Sequence, residues 1–128
     1  MKQLTKAEEA VMQILWKIQK GFLADIMKEM PDPKPANSTV STFIKILERK
    51  GFISHRTYGK IHEYFPRVSK EQYTKDHLNG LLEKYFSNSY TKMVSFLSKS
   101  EDLSIQEIEE IITMLQNQMK ERKNKRHE

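Results

Sequence analysis

The stretch from Asn37 to Gly51 constrains the fold more than any other part of the sequence. It begins with asparagine, a preferred N-cap residue, and ends with glycine, which commonly stops a helix. Its apolar residues recur at intervals of three and four, the spacing of one helical face, at Val40, Phe43, Ile44 and Leu47. We predict a single helix here, with that face turned toward a core.

The opposite face of this helix carries small hydroxyl side chains at its start and cations further along. Serine and threonine are poor choices for a helix selected only for stability, because their hydroxyls compete with helical hydrogen bonds. Short hydroxyl side chains suit close approach to base edges, and cations suit phosphates. The residues predicted to bind DNA from this helix are Ser38, Thr39, Ser41, Thr42, Lys45 and Arg49.

Two shorter helical patterns precede this helix. The sequence Thr5-Lys6-Ala7-Glu8 is a capping box that opens the first, and Lys20-Gly21 is predicted to end it. The second runs from Phe22 to Met30, and the proline-rich segment 31–35 cannot continue it. Helix, short connection and helix, with hydroxyls and cations at the front of the last one, is the helix-turn-helix arrangement.

A β-hairpin is predicted directly after the third helix. Residues 52–58 and 61–65 are rich in β-branched and aromatic side chains, Gly59-Lys60 between them fits a type II′ turn, and Pro66 ends the second strand. This pairing sets Tyr58 opposite Ile61 and Thr57 opposite His62. A hairpin in this position is a wing, and its predicted DNA-binding residues are Arg56, Lys60 and His62.

The positive charge is unevenly distributed. The net charge of +5 comes from residues 1–68, with 12 basic and 7 acidic residues, whereas residues 69–128 carry 10 of each. Between Asn37 and Arg67 only Glu48 and Glu63 are acidic. The basic residues there are Lys45, Arg49, Lys50, Arg56, Lys60 and Arg67. This concentration is the footprint expected of nucleic-acid binding, although a small lysine excess is also common in domains that bind none.

From Ser69 onward the sequence is helical. Capping boxes at Ser69 and Ser104 open a helix that runs to about Phe86 and a last helix, with a short helix between them after the break at residues 87–89. The basic segment 120–127 is predicted to be a frayed end.

Apolar residues of the last helix recur at alternating intervals of three and four residues, as in a coiled-coil seam. Such helices either fold back on the first domain or form a dimer, and the second is favoured because helix-turn-helix proteins usually double their contacts by two-fold symmetry. The predicted dimer interface is Leu81, Leu82, Tyr85, Phe86, Phe96, Leu97, Ile105, Ile108, Ile112, Leu115 and Met119.

The predicted fold is therefore mainly α with a small β-hairpin. Residues 1–68 form a winged helix-turn-helix domain, and residues 69–128 form a helical dimerisation domain with a basic tail. No apolar run is long enough to span a bilayer, and the N-terminus leads into a helix rather than a signal peptide, so we expect a cytoplasmic protein.

Several chemical functions are excluded or disfavoured by what the sequence contains. The absence of cysteine rules out disulfides, thiolate metal sites and cysteine nucleophiles. His55 and His62 share one face of the predicted hairpin, but Glu63 should point to the other, so we expect no metal site. No nucleophile elbow, HExxH motif, phosphate loop or dinucleotide fingerprint occurs, so we expect neither an enzyme nor a cofactor.

Two other binding functions compete with recognition of duplex DNA. A winged helix that binds protein would expose an apolar patch on the third helix, whereas the predicted face is hydroxyl and cationic. A protein that binds single-stranded RNA would need an exposed aromatic platform, which only Tyr58 could supply on the wing.

The order of these elements and their residues resembles the BlaI/MecI/CopY (penicillinase repressor) family of winged-helix transcriptional regulators. The segments that carry the resemblance, which covers nearly the whole chain, are Leu4 to Glu8 with Val11-Met12 and Leu15-Trp16, then Thr39 to Thr42 with Leu47 and Lys50-Gly51, and Leu103 to Leu115. It implies a dimeric repressor that binds a palindromic operator, with the C-terminal helices forming the dimer.

The resemblance also implies a partner that ends repression, a membrane-bound sensor metalloprotease whose signal leads to cleavage of the repressor. Phe96-Leu97 stands where the penicillinase repressors have the Asn-Phe pair that is cut, so that route does not transfer. Ile46 stands where many members carry an arginine, and the cysteine-rich tail of the copper-responsive branch is absent.

Overall fold

The structure is a computed structural model that describes residues 2–126. Backbone contacts divide the chain into two compact units, one ending at Leu78 and one beginning at Asn79. In chain order the elements are α1 (Lys6–Ile18), α2 (Leu23–Glu29), α3 (Asn37–Arg49), β1 (Ile53–Tyr58), β2 (Ile61–Pro66), α4 (Lys70–Tyr85), α5 (Tyr90–Ser98) and α6 (Ile105–Arg126).

The predicted capping box of α1 is confirmed. The Glu8 amide donates to Thr5 Oγ1 at 3.2 Å, and the Thr5 amide donates back to the Glu8 carboxylate. The predicted stop at Lys20-Gly21 is wrong, because α1 ends at Ile18 and its C-cap residue Gln19 has a positive φ of 72°. Gly21 instead pairs with Tyr64 through two backbone hydrogen bonds of 2.7 and 2.9 Å. A Cβ at this position would lie 2.8 Å from Ile18 Cδ1 and 3.0 Å from Asp25 Cβ, so a larger residue would have to displace the Ile18 side chain.

Helix α3 has the predicted core face. Val40, Ile44 and Leu47 are buried and Phe43 is half-buried. The predicted N-cap is wrong, since Ala36 occupies the cap position without a side-chain hydrogen bond and Asn37 is the first helical residue. The extended backbone of Ala36 already directs its carbonyl to the amides of residues 39 and 40, so the helix begins one residue earlier than the capping rule predicted.

The hairpin has the predicted register. Tyr58 lies opposite Ile61 and Thr57 opposite His62, with Gly59 at φ of 61° in the turn. Pro66 is the last residue of β2, paired with Ile53, rather than a residue beyond the strand. A proline is tolerated there because it ends an edge strand and needs no amide for the ladder.

One apolar core joins these elements of the first unit. Helices α1, α2 and α3 pack around it, and the start of β1 closes it. Its fully buried members are Val11, Met12, Leu15, Ile26, Val40, Ile44, Leu47 and Phe52. Burial of each large aliphatic or aromatic side chain contributes about 1.5–3 kcal/mol, so this core dominates the stability of the unit.

The first turns of α4 belong to this unit. Trp16 is an anchor, as predicted: its indole Nε1 donates to the Val68 carbonyl at 2.8 Å, and its ring lies 5.5 Å from that of Tyr73. The Tyr73 hydroxyl donates to Glu9 at 3.0 Å. Burial and this carboxylate raise the pKa of Tyr73 to about 12. These contacts place the boundary between the units inside α4, later than the end of the wing.

The second unit contains the rest of α4 with α5 and α6. Ser87 and Asn88 have positive φ and form the predicted break, and Ser89 caps α5. Leu82 is buried, and the rings of Phe86 and Phe96 lie 5.7 Å apart. The prediction of a frayed basic end is wrong through Arg126, where α6 ends, and His127 lies outside the described residues. Lysine, arginine and glutamate are good helix formers, and cations at a helix C-terminus interact favourably with its dipole.

A buried ion pair ties α3 to α1. Lys50, directly after α3, donates to both carboxylate oxygens of Glu8 and to the Gln3 carbonyl at 3.0 Å. The Glu8 side chain is 4% exposed and that of Lys50 is 24% exposed. Burial alone would raise the pKa of Glu8, but the hydrogen bonds from Lys50 and Thr5 outweigh it, so the pKa is lowered.

We expect Lys50→Met to destabilise the protein. The substitution leaves the buried Glu8 without its charged donor, so the free energy of unfolding should fall by about 1.5–3 kcal/mol at neutral pH in urea titrations. Lys17→Met is the matched control, because Lys17 binds Glu29 on the surface and is 71% exposed, and it should cost less than about 1 kcal/mol.

The effect of Lys50→Met should also depend on pH. Because the pKa of folded Glu8 lies below its ordinary value of 4.5, the ion pair contributes its stability above that pH and loses it as the pH falls through the lowered pKa. The difference between wild type and Lys50→Met should therefore shrink on acidification. Equal costs for Lys50→Met and Lys17→Met at neutral pH would contradict this role.

Candidate nucleic-acid interface

The polar face of α3 is presented to solvent. Of the six residues predicted from this helix, Ser38, Thr39, Thr42, Lys45 and Arg49 are exposed. Ser41 is half-buried. The core face on the other side fixes the rotation of the helix, so these side chains are held outward as a set. The hydroxyls lie on the first turns, and the cations lie one and two turns further along.

Thr42 is oriented by its own helix. Its Oγ1 donates to the Ser38 carbonyl at 2.9 Å, which uses the hydroxyl proton inside the helix. What remains outward is an oxygen that can accept hydrogen bonds and a methyl group. That combination fits an amino group of adenine or cytosine, or the methyl group of thymine, in a major groove.

The first amide groups of α3 have no side-chain cap. Several amides in the first turn of any helix lack a helical acceptor, and the helix dipole makes this end favourable for anions. The start of α3 therefore offers donors to phosphate beside the exposed hydroxyls of Ser38 and Thr39.

The two faces of the wing have different neighbours. His55, Thr57, His62 and Tyr64 lie on one face, where Thr57 Oγ1 lies 3.2 Å from His62 Nδ1. Arg56 lies on the other face, opposite Glu63, where both line a cavity of about 420 Å³ with residues 18–20 at the end of α1. Arg56, Lys60 and His62 are all exposed, as predicted. The structure does not bring Arg56 and His62 together on one face of the hairpin.

Most of the predicted cations are free to bind an external anion. The ion pairs within residues 2–126 join Lys17 to Glu29, Lys50 to Glu8 and His55 to Glu48. None of them uses Lys45, Arg49, Arg56 or Lys60. The prediction that Lys50 belongs to the basic surface is wrong. Its ammonium group is bound by the buried Glu8 carboxylate and does not add to the surface charge.

Sequence reasoning missed one contact within this surface. Glu48, on the last turn of α3, lies 3.0 and 3.1 Å from His55 Nδ1 on β1. The His55 ring lies 4.1 Å from that of His62. Glu48 and His55 are seven residues apart across a glycine turn, and no local pattern predicts that pairing. Burial, together with the charge of Glu48, raises the pKa of the neighbouring Tyr64 hydroxyl.

His55 and His62 are also the residues at which the sequence predicted no metal site. In the part of the chain that the structure describes, no three histidine, aspartate or glutamate side chains are placed to hold one metal ion. Glu63 lies opposite Arg56, on the face away from His55 and His62.

The residues predicted for a dimer interface are mostly exposed in the second unit. Tyr85, Phe96, Leu97, Ile105, Ile112, Leu115 and Met119 range from 45% to 78% exposed, and Leu81 is 40% exposed. Phe86 and Ile108 are half-buried. The prediction for Leu82 is wrong, because its side chain is only 3% exposed, is enclosed by its own chain and cannot face a partner. An apolar surface of this extent is unusual for an isolated domain.

These features define a class: a helix-turn-helix followed by a two-stranded wing is a winged helix, and its exposed face has the side chains of a DNA-binding surface. The chain belongs to the penicillinase repressor family, whose model matches residues 4–117.

Two relatives match almost end to end. The Penicillinase repressor of Bacillus licheniformis is 25% identical over 127 residues, covering 98% of this chain and 96% of that one. The Methicillin resistance regulatory protein MecI of Staphylococcus aureus (strain N315) is 28% identical over 114 residues, covering 88% and 93%. Among solved structures, the DNA binding domain of the repressor BlaI has a TM-score of 0.49 and 26% identity, over 56% of this chain and 88% of that one.

None of the helices described between residues 2 and 126 is both long and apolar enough to cross a membrane.

Proposed function

We propose that this chain is a DNA-binding transcriptional repressor that binds a palindromic operator as a homodimer. The observation that carries the proposal is the outward face of α3, where exposed hydroxyls are followed by cations that no carboxylate of residues 2–126 neutralises. Membership of a family whose relatives are named repressors supports it. Repression is steric in this proposal, with the bound dimer occupying promoter DNA that the polymerase needs.

The surface divides into residues that select sequence and residues that bind the backbone. Ser38, Ser41, Thr42 and Lys45 enter the major groove at the front of α3, where their short side chains reach base edges. Thr39 and the free amides of the first turn lie beside the nearest phosphate. The residues that hold phosphates are Arg49 on α3 and Arg56, Lys60 and His62 on the wing.

The division of labour between domains follows from these positions. Residues 1–68, with the first turns of α4 packed on them, bind DNA, and the remainder of residues 69–128 holds two copies together. A single recognition helix contacts few base pairs, so pairing two of them by a two-fold axis multiplies the contacts and requires an inverted repeat in the DNA.

The charge pattern of α6 supports an antiparallel arrangement of two copies. Its first half, residues 105–115, contains Glu107, Glu109 and Glu110 and no cation. Its second half contains five cations and one acidic residue: Lys120, Glu121, Arg122, Lys123, Lys125 and Arg126. Parallel helices would set like charges side by side, whereas antiparallel helices set the acidic half of each against the basic half of the other.

The apolar seam fits the same arrangement. If Ile112 of one copy faces Leu115 of the partner subunit, then Ile108 faces Met119 and Ile105 faces Arg122 in an antiparallel pair. The same register sets Glu107 against Lys120. In this register the apolar side chains of residues 108, 112, 115 and 119 cover one another, and Glu107 lies against a cation.

The remaining expectations follow from this function. Binding of promoter DNA places the protein in the cytoplasm, and we expect it to have no catalytic activity. The partner that relieves repression is a membrane-bound sensor metalloprotease, as the family resemblance implies, or another inducing partner, and cleavage at an Asn-Phe pair does not transfer to this chain. The segment 96–97 lies within α5, and Phe96 is 66% exposed.

The first test is the affinity of the purified protein for the DNA upstream of its own gene. Fluorescence anisotropy at two salt concentrations should show binding at least about a thousandfold tighter than to a scrambled duplex near physiological salt. Equal and steeply salt-dependent binding to both duplexes would contradict sequence-specific recognition. No binding to either would favour a winged helix that binds a protein partner.

Thr42→Ala and Lys60→Ala should weaken DNA binding in different ways. Thr42→Ala should cost about 1–3 kcal/mol on the preferred site and relax selection at one base position, because a contact to a base edge is lost. Lys60→Ala should weaken binding to all sequences alike and lower the salt dependence by about one phosphate contact. Binding-site selection and salt titrations distinguish the two. A uniform loss with both variants would contradict the assigned roles.

The orientation of α6 in the dimer can be read from disulfide trapping, because the chain contains no cysteine. Ile105→Cys and Arg122→Cys should cross-link to each other when the two variants are mixed and allowed to exchange. Each variant alone should not, since an antiparallel pair separates identical positions by about 25 Å at 1.5 Å per residue. Cross-linking of each variant to itself would indicate parallel helices. A monomer in sedimentation, without cross-links, would overturn dimerisation.

A further inference from the structure

Glu48 is the one acidic residue between Asn37 and His62, the segment that supplies every residue assigned above to DNA. It lies beside Arg49 at the end of α3, where its charge disfavours a nearby phosphate. Such a carboxylate lowers the affinity of a DNA-binding surface unless it serves another purpose. Its contacts within the chain indicate what that purpose is.

Glu48 binds the wing rather than a neighbouring cation. Both of its oxygens lie within 3.1 Å of His55 Nδ1, although Arg49 and Lys50 are adjacent in sequence. A carboxylate can only accept, so Nδ1 carries the proton and donates to it. Both side chains are about 30% exposed, 29% for Glu48 and 31% for His55, so the contact is partly shielded from water.

The contact continues across the face of the wing that includes His62. The His55 ring packs on the His62 ring at 4.1 Å and on Tyr64 at 5.9 Å, and His62 Nδ1 lies 3.2 Å from Thr57 Oγ1. Glu48, His55, His62 and Tyr64 are thus the titratable groups gathered here from α3, β1 and β2. Through them, the last turn of α3 is connected to the strands that carry Lys60.

The base of the wing is held differently. The Tyr64 backbone pairs with Gly21, and the Arg67 amide donates to the Phe52 carbonyl at 2.8 Å. Nearer the tip, next to the turn and on the face opposite His55, the Tyr58 ring contacts Phe22 with centroids 6.0 Å apart. These contacts tie the hairpin to the α1–α2 side of the domain, whereas the Glu48–His55 contact ties it to α3.

We propose that Glu48 is a positioning residue for DNA binding, which holds the wing at a fixed distance from α3 through His55. The proposal rests on the proposed function, in which α3 enters the groove and the wing tip binds the flanking backbone. A wing held in place before binding loses less conformational freedom when it contacts DNA. Glu48 therefore increases affinity although its charge is repelled by phosphate.

The direction in which substitution of Glu48 changes the DNA affinity distinguishes a positioning role from a purely electrostatic one. If Glu48 acted only through its charge, Glu48→Ala would strengthen DNA binding. As a positioning residue it should weaken binding by about three- to tenfold, the loss expected for one hydrogen bond to a charged group. Glu48→Gln should restore most of the affinity, since its amide oxygen can still accept from His55 Nδ1.

Glu63→Ala is the matched control. Glu63 is also an acidic residue of this domain and lies on β2, but on the face away from His55. Glu63→Ala removes one negative charge, as Glu48→Ala does, but without loss of the His55 contact, so it should strengthen DNA binding about twofold. In a His55→Leu background, where the contact is already lost, Glu48→Ala should also strengthen binding rather than weaken it.

Hydrogen exchange of the protein without DNA provides a readout that does not depend on the proposed function. Glu48→Ala should accelerate exchange of the amides of residues 55–62, and Glu63→Ala should not. Tighter DNA binding by Glu48→Ala, or unchanged exchange in the wing, would overturn the positioning role while leaving the proposed function intact. Failure of the wild type to bind the upstream duplex would instead overturn the proposed function, while faster exchange would still support the positional contact.

Discussion

The ion pair between Lys50 and Glu8 joins the two helix ends on which the DNA-binding unit depends. Glu8 belongs to the capping box that starts α1, and Lys50 is the C-cap residue directly after α3. Because one carboxylate accepts from both Thr5 and Lys50, the start of one helix and the end of the other are fixed together. The apolar core sets the distance between α1 and α3, and this polar contact joins the start of α1 to the residue that follows α3.

Each side of α3 depends on the other. The buried stripe of Val40, Ile44 and Leu47 turns the hydroxyls and cations outward, and that outward face can be poor in stabilising residues because the core supplies the stability. The first turn has no side-chain cap, which costs the helix some stability and leaves amide donors at its exposed end. A helix optimised in isolation would differ at all of these positions.

The sequence predicted the parts of this structure that depend on local chemistry. The helices, the hairpin register from Thr57 to His62 and the capping box at Thr5 follow from spacing, turn residues and propensity, which act over a few residues. What it could not predict was the partner of each charged side chain. Lys50 was counted with the surface cations because its partner Glu8 lies 42 residues away. The Glu48 contact with His55 was missed for a different reason: the two residues are only seven apart, but no local pattern pairs a helix residue with a strand residue across a glycine turn. Leu82 matched the apolar pattern of its neighbours, and only packing distinguished a core residue from an exposed one.

The role of each charged side chain in this protein therefore depends on which group, if any, it pairs with. Lys50 and Glu8 neutralise each other inside the first unit, so neither contributes to the field outside. Glu48 is engaged by His55, which limits its repulsion of an approaching phosphate, while Lys45, Arg49 and Lys60 keep their charge for an external anion. In α6 the two halves have opposite sign, and the complement of each half is available from the other half of a second copy. The net charge of +5 does not show these different roles, because it adds together charges that are paired inside the protein, charges that are exposed on α3 and the wing, and the opposite charges of the two halves of α6.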